Sequence, residues 1–172
     1  MKFFANLHNN PQAWLLLAFS ALVFEGCALY FQYILNLEPC IMCIYQRVAV
    51  LGILFAGILG FIGSDNIIAR TLAFATWGVS AIWGLIIALE HVEMQTSTMS
   101  FLFSCEVVPN FPSWAPLHEW LPSIFAATGD CGKISWQFLG YSMPQWMVVV
   151  FAVYSVLWLT VTASTIKIHR KL

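Results

Sequence analysis

Four long apolar stretches, separated by more polar segments, most constrain what this chain can fold into. They cover residues about 13–35, 40–63, 71–89 and 145–166. Each is about 19–24 residues long, enough for an α-helix to cross a hydrocarbon core roughly 30 Å thick. Only 9% of the 172 residues are charged, whereas a soluble domain has about 25%. The sequence therefore predicts an all-α integral membrane protein, a four-transmembrane-helix bundle that forms a single domain over residues 1–172.

The positively charged residues predict how these helices are oriented. Lys and Arg are enriched in the short cytoplasmic connections of membrane proteins. Here the opposite side carries Lys133 alone, and the cytoplasmic side carries Lys2, Arg70, Lys167, Arg170 and Lys171. We therefore expect both termini in the cytoplasm and two outer loops, residues about 36–39 and 90–144, on the far side. The net charge of −1 and the lack of a basic tract give no indication of nucleic-acid binding.

The second apolar stretch begins with a Cys-x-x-Cys pair, Cys40 and Cys43, preceded by Pro39 and followed by Arg47. Proline suits the first turn of a helix, so we expect the helix to begin at Pro39. Unpaired N–H groups and the positive dipole end then favour a thiolate at the cysteines. Arginine is costly inside a membrane, so Arg47 is expected to have a partner, either the Cys43 thiolate or an oxygen of a bound electron acceptor. The arrangement indicates redox chemistry, and the simpler alternative is a structural disulfide beside a snorkelling arginine.

The second outer loop is too long to be only a connector. It contains Cys105 and Cys131, and the prolines between them exclude a long helix; these are Pro109, Pro112, Pro116 and Pro122. Residues 114–121 interleave aromatic and aliphatic side chains with polar ones. This pattern predicts a short helix lying in the membrane interface, with a loop segment packed on the bundle as the alternative.

Four cysteines are predicted on the outer face: Cys40, Cys43, Cys105 and Cys131. They allow three connectivities; proximity favours Cys40–Cys43, which leaves Cys105–Cys131 to close a loop of about 27 residues. A tetrathiolate zinc site usually needs two close pairs, which the spacing of Cys105 and Cys131 does not provide, so no metal site is predicted. Cys27, within the first stretch, is expected to be an apolar filler.

A membrane-border Cys-x-x-Cys and a second disulfide in a loop can pass oxidising equivalents by thiol–disulfide exchange. No nucleotide-binding fingerprint is present, so a bound flavin is not supported. A membrane-soluble quinone is then the simplest electron acceptor.

Four motifs follow one another along this frame and together resemble the DsbB family of bacterial disulfide-bond-forming membrane proteins. The resemblance runs from about Trp14 to Trp146. The motifs are Pro39-Cys40-x-x-Cys43-Ile44-Tyr45-x-Arg47, Glu90-His91, Gly129-Asp130-Cys131, and Phe138-Leu139-Gly140-x-x-Met143-Pro144-Gln145-Trp146.

The resemblance implies a protein-thiol:quinone oxidoreductase of the bacterial inner (cytoplasmic) membrane, with both outer loops in the periplasm. A reduced periplasmic thiol oxidase of the DsbA type attacks a Cys105–Cys131 disulfide and forms a mixed disulfide at Cys105. Cys131 then exchanges with the Cys40–Cys43 pair, and the Cys43 thiolate passes electrons to ubiquinone or menaquinone held by Arg47.

Two further residues are expected to line the quinone site, His91 and Met143, because they lie at the outer ends of the third and fourth helices. For His91 the alternative is an interfacial histidine bonded to a neighbour, and for Met143 it is ordinary packing. Glu25, inside the first stretch, is expected to face the bundle, protonated or paired, since ionisable groups avoid lipid.

Two other functions are open at this point. A quinone reductase of the vitamin K epoxide reductase type would carry its Cys-x-x-Cys near the end of a late helix, whereas here the motif begins the second. A four-helix structural or adhesion protein with inert loop disulfides would have no need for Arg47 beside the pair.

Overall fold

The computed structural model describes residues 10–96 and 109–169. Its helices are α1 (Pro11–Tyr33), α2 (Ile41–Ile62), α3 (Ile67–Thr96), the one-turn α4 (Leu117–Trp120) and α5 (Pro122–Phe125), and α6 (Met143–His169). A two-stranded hairpin of β1 (Gln137–Phe138) and β2 (Tyr141–Ser142) precedes α6. Within the described ranges, α1, α2, α3 and α6 are long and apolar enough to cross a membrane. The predicted four-helix membrane bundle is confirmed.

The third helix is longer than the apolar stretch that predicted it. It was expected over residues 71–89, and α3 covers Ile67–Thr96. Its outer extension includes Glu90, His91 and Glu93. The length of an apolar stretch reflects only the part of a helix that lies in the hydrocarbon core. The helix itself can continue into the polar layer, because its hydrogen bonds are internal. As a result, His91 lies on a regular helix and not in a loop.

The expected start of the second helix at Pro39 is wrong. Cys40 is the N-cap, with extended backbone angles (φ −83°, ψ 171°), and Ile41 is the first helical residue. The Pro39 carbonyl accepts hydrogen bonds from the backbone N–H groups of Thr128 and Gly129, both at 3.0 Å. Pro39 is therefore held outside the helix by the second outer loop. Cys43 becomes the third helical residue, where backbone N–H groups have no intrahelical partner.

Small residues allow the long helices to pack closely, with α2 between α1 and α3 and with α3 against α6. A Cβ atom at Gly57 would collide with Ala18 of α1, and one at Gly60 would collide with the Trp14 ring. Gly52 lies in the same way against Ser80 of α3. Glycine at such positions permits backbones to approach, which is how membrane helices gain packing energy.

The outer segment departs from a purely helical description. Of residues 114–121, for which a short helix was predicted, only Leu117–Trp120 (α4) is helical. Leu121 separates α4 from α5, which begins at Pro122. Trp114 and Trp120 are 80% and 61% exposed; their placement in the membrane interface stays a prediction. In the hairpin turn, Leu139 and Gly140 have positive φ values of 53° and 81°, as two-residue hairpin turns require.

Candidate active site

The two cysteines of the Cys-x-x-Cys motif lie in direct contact at the start of α2. Their Sγ atoms are 2.9 Å apart. Cys40 is buried and Cys43 is partly buried. The N-cap position gives Cys40 a non-helical backbone, and this backbone turns its side chain toward that of Cys43, three residues later. The pair is therefore placed for disulfide formation without a large backbone movement.

The Gly129-Asp130-Cys131 motif docks against this pair. The Thr128 and Gly129 N–H groups bind the Pro39 carbonyl, and a Cβ at Gly129 would collide with the Glu38 carbonyl oxygen. Glycine is thus the residue that lets the two backbones meet. Cys131 is fully buried and packs with Cys40 and Ile41. Its side chain also forms a hydrogen bond with that of Cys40, so three sulfur atoms lie in sequence, Cys131, Cys40 and Cys43.

Among Cys131, Cys40 and Cys43, Cys40 is the cysteine that stays protonated. Hydrogen bonds with Cys131 and Cys43, together with burial, raise the pKa of the Cys40 thiol far above its ordinary value. At neutral pH Cys40 is therefore a thiol that donates toward its neighbours. The thiolate of the reduced pair then belongs on Cys43, which is nearer to the N–H groups of the first turn of α2.

Arg47 has three polar partners on two elements, α1 and α5. Its Nε lies 3.3 Å from Glu25 Oε1, with 5% and 10% of the two side chains exposed. Its NH1 donates to Gln32 Oε1 at 2.9 Å and to the Ile124 carbonyl. The prediction that Arg47 has a partner is confirmed, and so is the pairing of Glu25. Among the described residues its charged partner is this carboxylate and not the Cys43 sulfur. Its pairing with an acceptor oxygen stays a prediction.

The same contacts attach the second outer loop to the bundle. Gln32 Nε2 donates to the Ser123 carbonyl at 2.8 Å, and the Tyr33 hydroxyl donates to the same oxygen. Because Arg47 donates to Ile124 next along the chain, α5 is held by its backbone carbonyls. Sequence reasoning missed Gln32 and Tyr33, since no pattern predicts which backbone carbonyl a side chain reaches across two elements.

His91 is 2% exposed and lies beside the cysteines. Its Nε2 is 3.5 Å from Cys40 Sγ, and its Nδ1 is 3.2 Å from Gln46 Nε2. The ring also bonds to the backbone of Cys131. His91 is thus bonded to neighbours, as the alternative for this residue expected, but it is buried within the site and not at an interface. Gln46, which sequence reasoning left without a role, orients the ring.

Met143 owes its position to the start of α6. Ser142 and Gln145 form half of a capping box, in which the Ser142 N–H donates to Gln145 Oε1 at 2.8 Å. The Ser142 hydroxyl donates to Gln95 Oε1 of α3, also at 2.8 Å. These two bonds hold the first turn of α6 against α3. The Met143-Pro144-Gln145-Trp146 motif is therefore an anchored helix start that fixes Met143.

A cavity of about 340 Å³ lies among the outer ends of the four long helices. Five of the predicted site residues line it together: Cys40, Cys43, Arg47, His91 and Met143. Its apolar walls come mainly from α1 and α6, with Phe24, Ala28, Phe31, Met147 and Val150. The fourth predicted outer cysteine, Cys105, lies outside the described residues.

Comparison with known proteins points to one family. The family described as Disulfide bond formation protein DsbB matches residues 10–161. Disulfide bond formation protein B of Pseudoalteromonas atlantica is 55% identical over 164 residues, 95% of each chain. The protein of that name from Pseudoalteromonas translucida is 53% identical over 100% of both chains. The one from Aeromonas hydrophila is 45% identical over 96% of this chain and 95% of its own.

The chain belongs to the DsbB family. DsbB membership confirms the resemblance drawn from the four motifs and the prediction of a disulfide-generating oxidoreductase in a multi-pass membrane bundle. It does not favour the inert structural protein or the reductase of the vitamin K type. The DsbB match also covers all of α1 to α3 and the outer segment that the structure describes, so the cavity and the cysteine contacts lie within the shared region.

Proposed function

We propose that this chain is an inner-membrane protein-thiol:quinone oxidoreductase that reoxidises a periplasmic thiol oxidase of the DsbA type. It passes the electrons to ubiquinone or menaquinone. One observation carries the proposal: Cys131 contacts Cys40, Cys40 contacts Cys43, and Cys43 lines a cavity together with Arg47. We call these three sulfurs the sulfur relay. Inert loop disulfides would gain nothing from a third cysteine held against a Cys-x-x-Cys pair.

The exchange begins at the partner. A thiolate of the reduced partner attacks a Cys105–Cys131 disulfide at Cys105, which forms a mixed disulfide and releases Cys131 as a thiolate. Cys131 then attacks Cys40 of the oxidised Cys40–Cys43 pair. A Cys131–Cys40 bond forms, the Cys40–Cys43 bond breaks, and the electron pair leaves on Cys43. The hydrogen bond between Cys131 and Cys40 supports Cys40 as the sulfur that is attacked.

The released Cys43 thiolate is stabilised by its position. Cys43 is the third residue of α2, where N–H groups without intrahelical partners point toward it. Arg47 lies one turn further along the same helix face. A fixed cation beside a developing anion lowers the barrier without reorganising solvent.

The residues around the cavity fit a quinone. Bound there, a quinone supplies an acceptor for two electrons and two protons. Arg47 lines the cavity while its Nε faces Glu25, so its guanidinium is the cation placed to meet a ligand oxygen. His91 and Met143 would hold the ring from the outer side, and the apolar walls from α1 and α6 would accept an isoprenoid tail. The net reaction converts the partner dithiol and quinone into the partner disulfide and quinol.

Location follows from the same chemistry. Disulfide exchange requires an oxidising compartment, so the sulfur relay belongs on the periplasmic face. Both termini and the connection between α2 and α3 then lie in the cytoplasm, in agreement with the distribution of Lys and Arg.

The test is anaerobic quinone reduction by the purified full chain, supplied with a reduced DsbA-type oxidase. We expect catalytic loss of oxidised-quinone absorbance, matched one to one by oxidation of partner dithiols. A Gly26→Ala variant, altered where an added Cβ meets nothing within 4 Å, should turn over at the unmodified rate. No turnover with either ubiquinone or menaquinone, in protein shown to be folded, would reject the proposal in favour of inert disulfides.

A further inference from the structure

The reduced site brings together ligand atoms of the kind that soft metal ions prefer. Cys40 Sγ, Cys43 Sγ and a ring nitrogen of His91 all lie within 4.8 Å of one another. Cys40 and His91 are 3% and 2% exposed. Two cysteine sulfurs and one imidazole at this separation are typical of zinc coordination. The sequence did not predict this set, because no spacing pattern places His91, on α3, against the start of α2.

Two further contacts complete the arrangement. Cys131 forms a hydrogen bond with Cys40 and packs beside it, so a third sulfur lies next to this group. Gln46, which is 4% exposed, lies 3.2 Å from His91 Nδ1. A histidine that ligates a metal through Nε2 usually donates its other ring N–H to an acceptor. If the Gln46 amide group turns by half a rotation, its oxygen takes the place of Nε2 and accepts from that N–H, while the rest of the side chain stays in position.

We propose that the reduced protein binds one Zn²⁺ ion through Cys40, Cys43 and His91, with a water molecule or the neighbouring Cys131 sulfur at the fourth position. Binding displaces the thiol protons to solvent and changes no oxidation state. Oxidation of Cys40 and Cys43 to their disulfide removes two ligands, so the oxidised protein releases the ion. The site is therefore selective for one redox state. It rests on the geometry of the thiols and the ring and does not require quinone turnover.

Zinc at this point blocks electron transfer. The Cys43 sulfur that faces the cavity becomes a metal ligand, and Cys40 can no longer close a disulfide onto it. We therefore expect Zn²⁺ to inhibit oxidation of the reduced protein reversibly, with a chelator restoring the rate. Zinc would then act as an inhibitor that competes with oxidation and not as a resident cofactor.

The experiment is equilibrium dialysis of the full chain in detergent against Zn²⁺ alone, before and after reduction with a phosphine and removal of the reductant. We expect one ion bound per reduced chain and none per oxidised chain. Co²⁺ in place of Zn²⁺ should produce thiolate-to-cobalt charge-transfer absorption in the reduced protein. Equal binding by the two redox states, or no binding by the reduced state, would overturn the proposal.

Matched variants separate this site from adventitious binding. His91→Gln and Gln46→Leu should each weaken binding by roughly tenfold or more, the range found when ligands or their outer partners are lost. Gln46→Glu, which keeps an acceptor at Nδ1, should retain the affinity, and Cys27→Ala should leave it unchanged. Unaltered affinity in both His91→Gln and Cys43→Ser would reject the assigned ligands. Because dialysis involves no quinone and no partner, a failure here is independent of any failure of turnover.

Discussion

Arg47 shows how one buried charge is held by groups from two elements. Its guanidinium meets the Glu25 carboxylate and the Gln32 amide of α1 and the Ile124 carbonyl of the outer loop. A buried pair of this kind recovers its desolvation cost only when hydrogen bonds satisfy the remaining donors. Here Nε faces the Glu25 carboxylate at 3.3 Å, and NH1 donates to Gln32 and Ile124. The residue is thus fixed in place, and it also lines the cavity.

Replacing Arg47 should therefore affect quinone use more than folding of the outer loop. For Arg47→Ala we expect kcat/KM for quinone to fall by about 10–100-fold, since a hydrogen bond to a charged group contributes roughly 1.5–3 kcal/mol. The measurement is the rate against quinone concentration at saturating reduced partner. Arg47→Lys, which keeps the charge without the planar fork, should recover part of the loss. Unchanged quinone dependence in Arg47→Ala would remove this residue from the site.

The cysteine roles predict an all-or-none effect on turnover. Cys43→Ser and Cys105→Ser should each abolish it, because serine cannot form the disulfide that exchange requires. Both variants should remain inserted in the membrane, since one serine near the start of the second apolar stretch leaves it long and apolar enough to span, and Cys105 lies outside all four stretches. Membrane fractionation provides that control, and the quinone assay provides the rate. Turnover by either variant close to the unmodified rate would contradict the relay mechanism.

Among the elements, the segment that carries Cys131 is positioned by backbone contact and not by side-chain packing alone. The Pro39 carbonyl receives two N–H groups from this segment, and Gly129 lies where a Cβ would meet the Glu38 carbonyl oxygen. Glycine matters at this position for close approach and not for an unusual backbone angle. Gly132, three residues later, is less crowded. A Cβ atom added there would lie 3.5 Å from Asp130 Oδ1, an ordinary contact distance.

This difference makes the two glycines a matched pair. Gly129→Ala should push the segment away from α2 and slow exchange between Cys131 and Cys40 by about tenfold or more, as small misplacements of reacting groups do. Gly132→Ala should exchange at nearly the unmodified rate. The measurement uses a Cys43→Ser background, in which Cys40 attacks the Cys105–Cys131 disulfide at Cys131 and releases the Cys105 thiolate; the rate of formation of the trapped Cys40–Cys131 disulfide is followed. Equal rates in the two alanine variants would argue against docking by close backbone contact.

Helix packing offers a second matched pair. A Cβ at Gly57 would collide with the backbone of Ala18, whereas one at Gly26 meets nothing within 4 Å. Gly57→Ala should therefore destabilise the bundle by about 1–3 kcal/mol, as overpacking does. Gly26→Ala should be neutral or stabilising by about 0.5–1 kcal/mol, since glycine weakens helix interiors. Unfolding monitored in detergent gives both values, and comparable destabilisation by the two changes would contradict the assigned packing.

For the whole molecule, the sequence predicted the parts that depend on local pattern. Apolar length predicted four membrane helices, and the motifs predicted residues that the structure gathers around one cavity, Cys43, Arg47, His91 and Met143. Contacts between elements were not predictable, because they depend on helix rotation and on the path of the loop. The sequence did not identify Arg47 as the partner of Glu25, and it did not predict the contacts of Gln32 and Tyr33 with the outer loop. The start at Pro39 failed for the same reason, since a loop from far along the chain captures its carbonyl.

The bond from Arg47 to the Ile124 carbonyl links two processes that a reaction scheme would treat separately. One guanidinium faces the cavity and also anchors the outer loop, so the free energies of the two interactions are coupled. Thermodynamic reciprocity then applies: a ligand that draws Arg47 toward the cavity weakens the anchoring of α5, and release of α5 changes ligand affinity by the same factor. The docking of α5 and the binding of an acceptor are thus thermodynamically coupled through Arg47, and a change in either one changes the other.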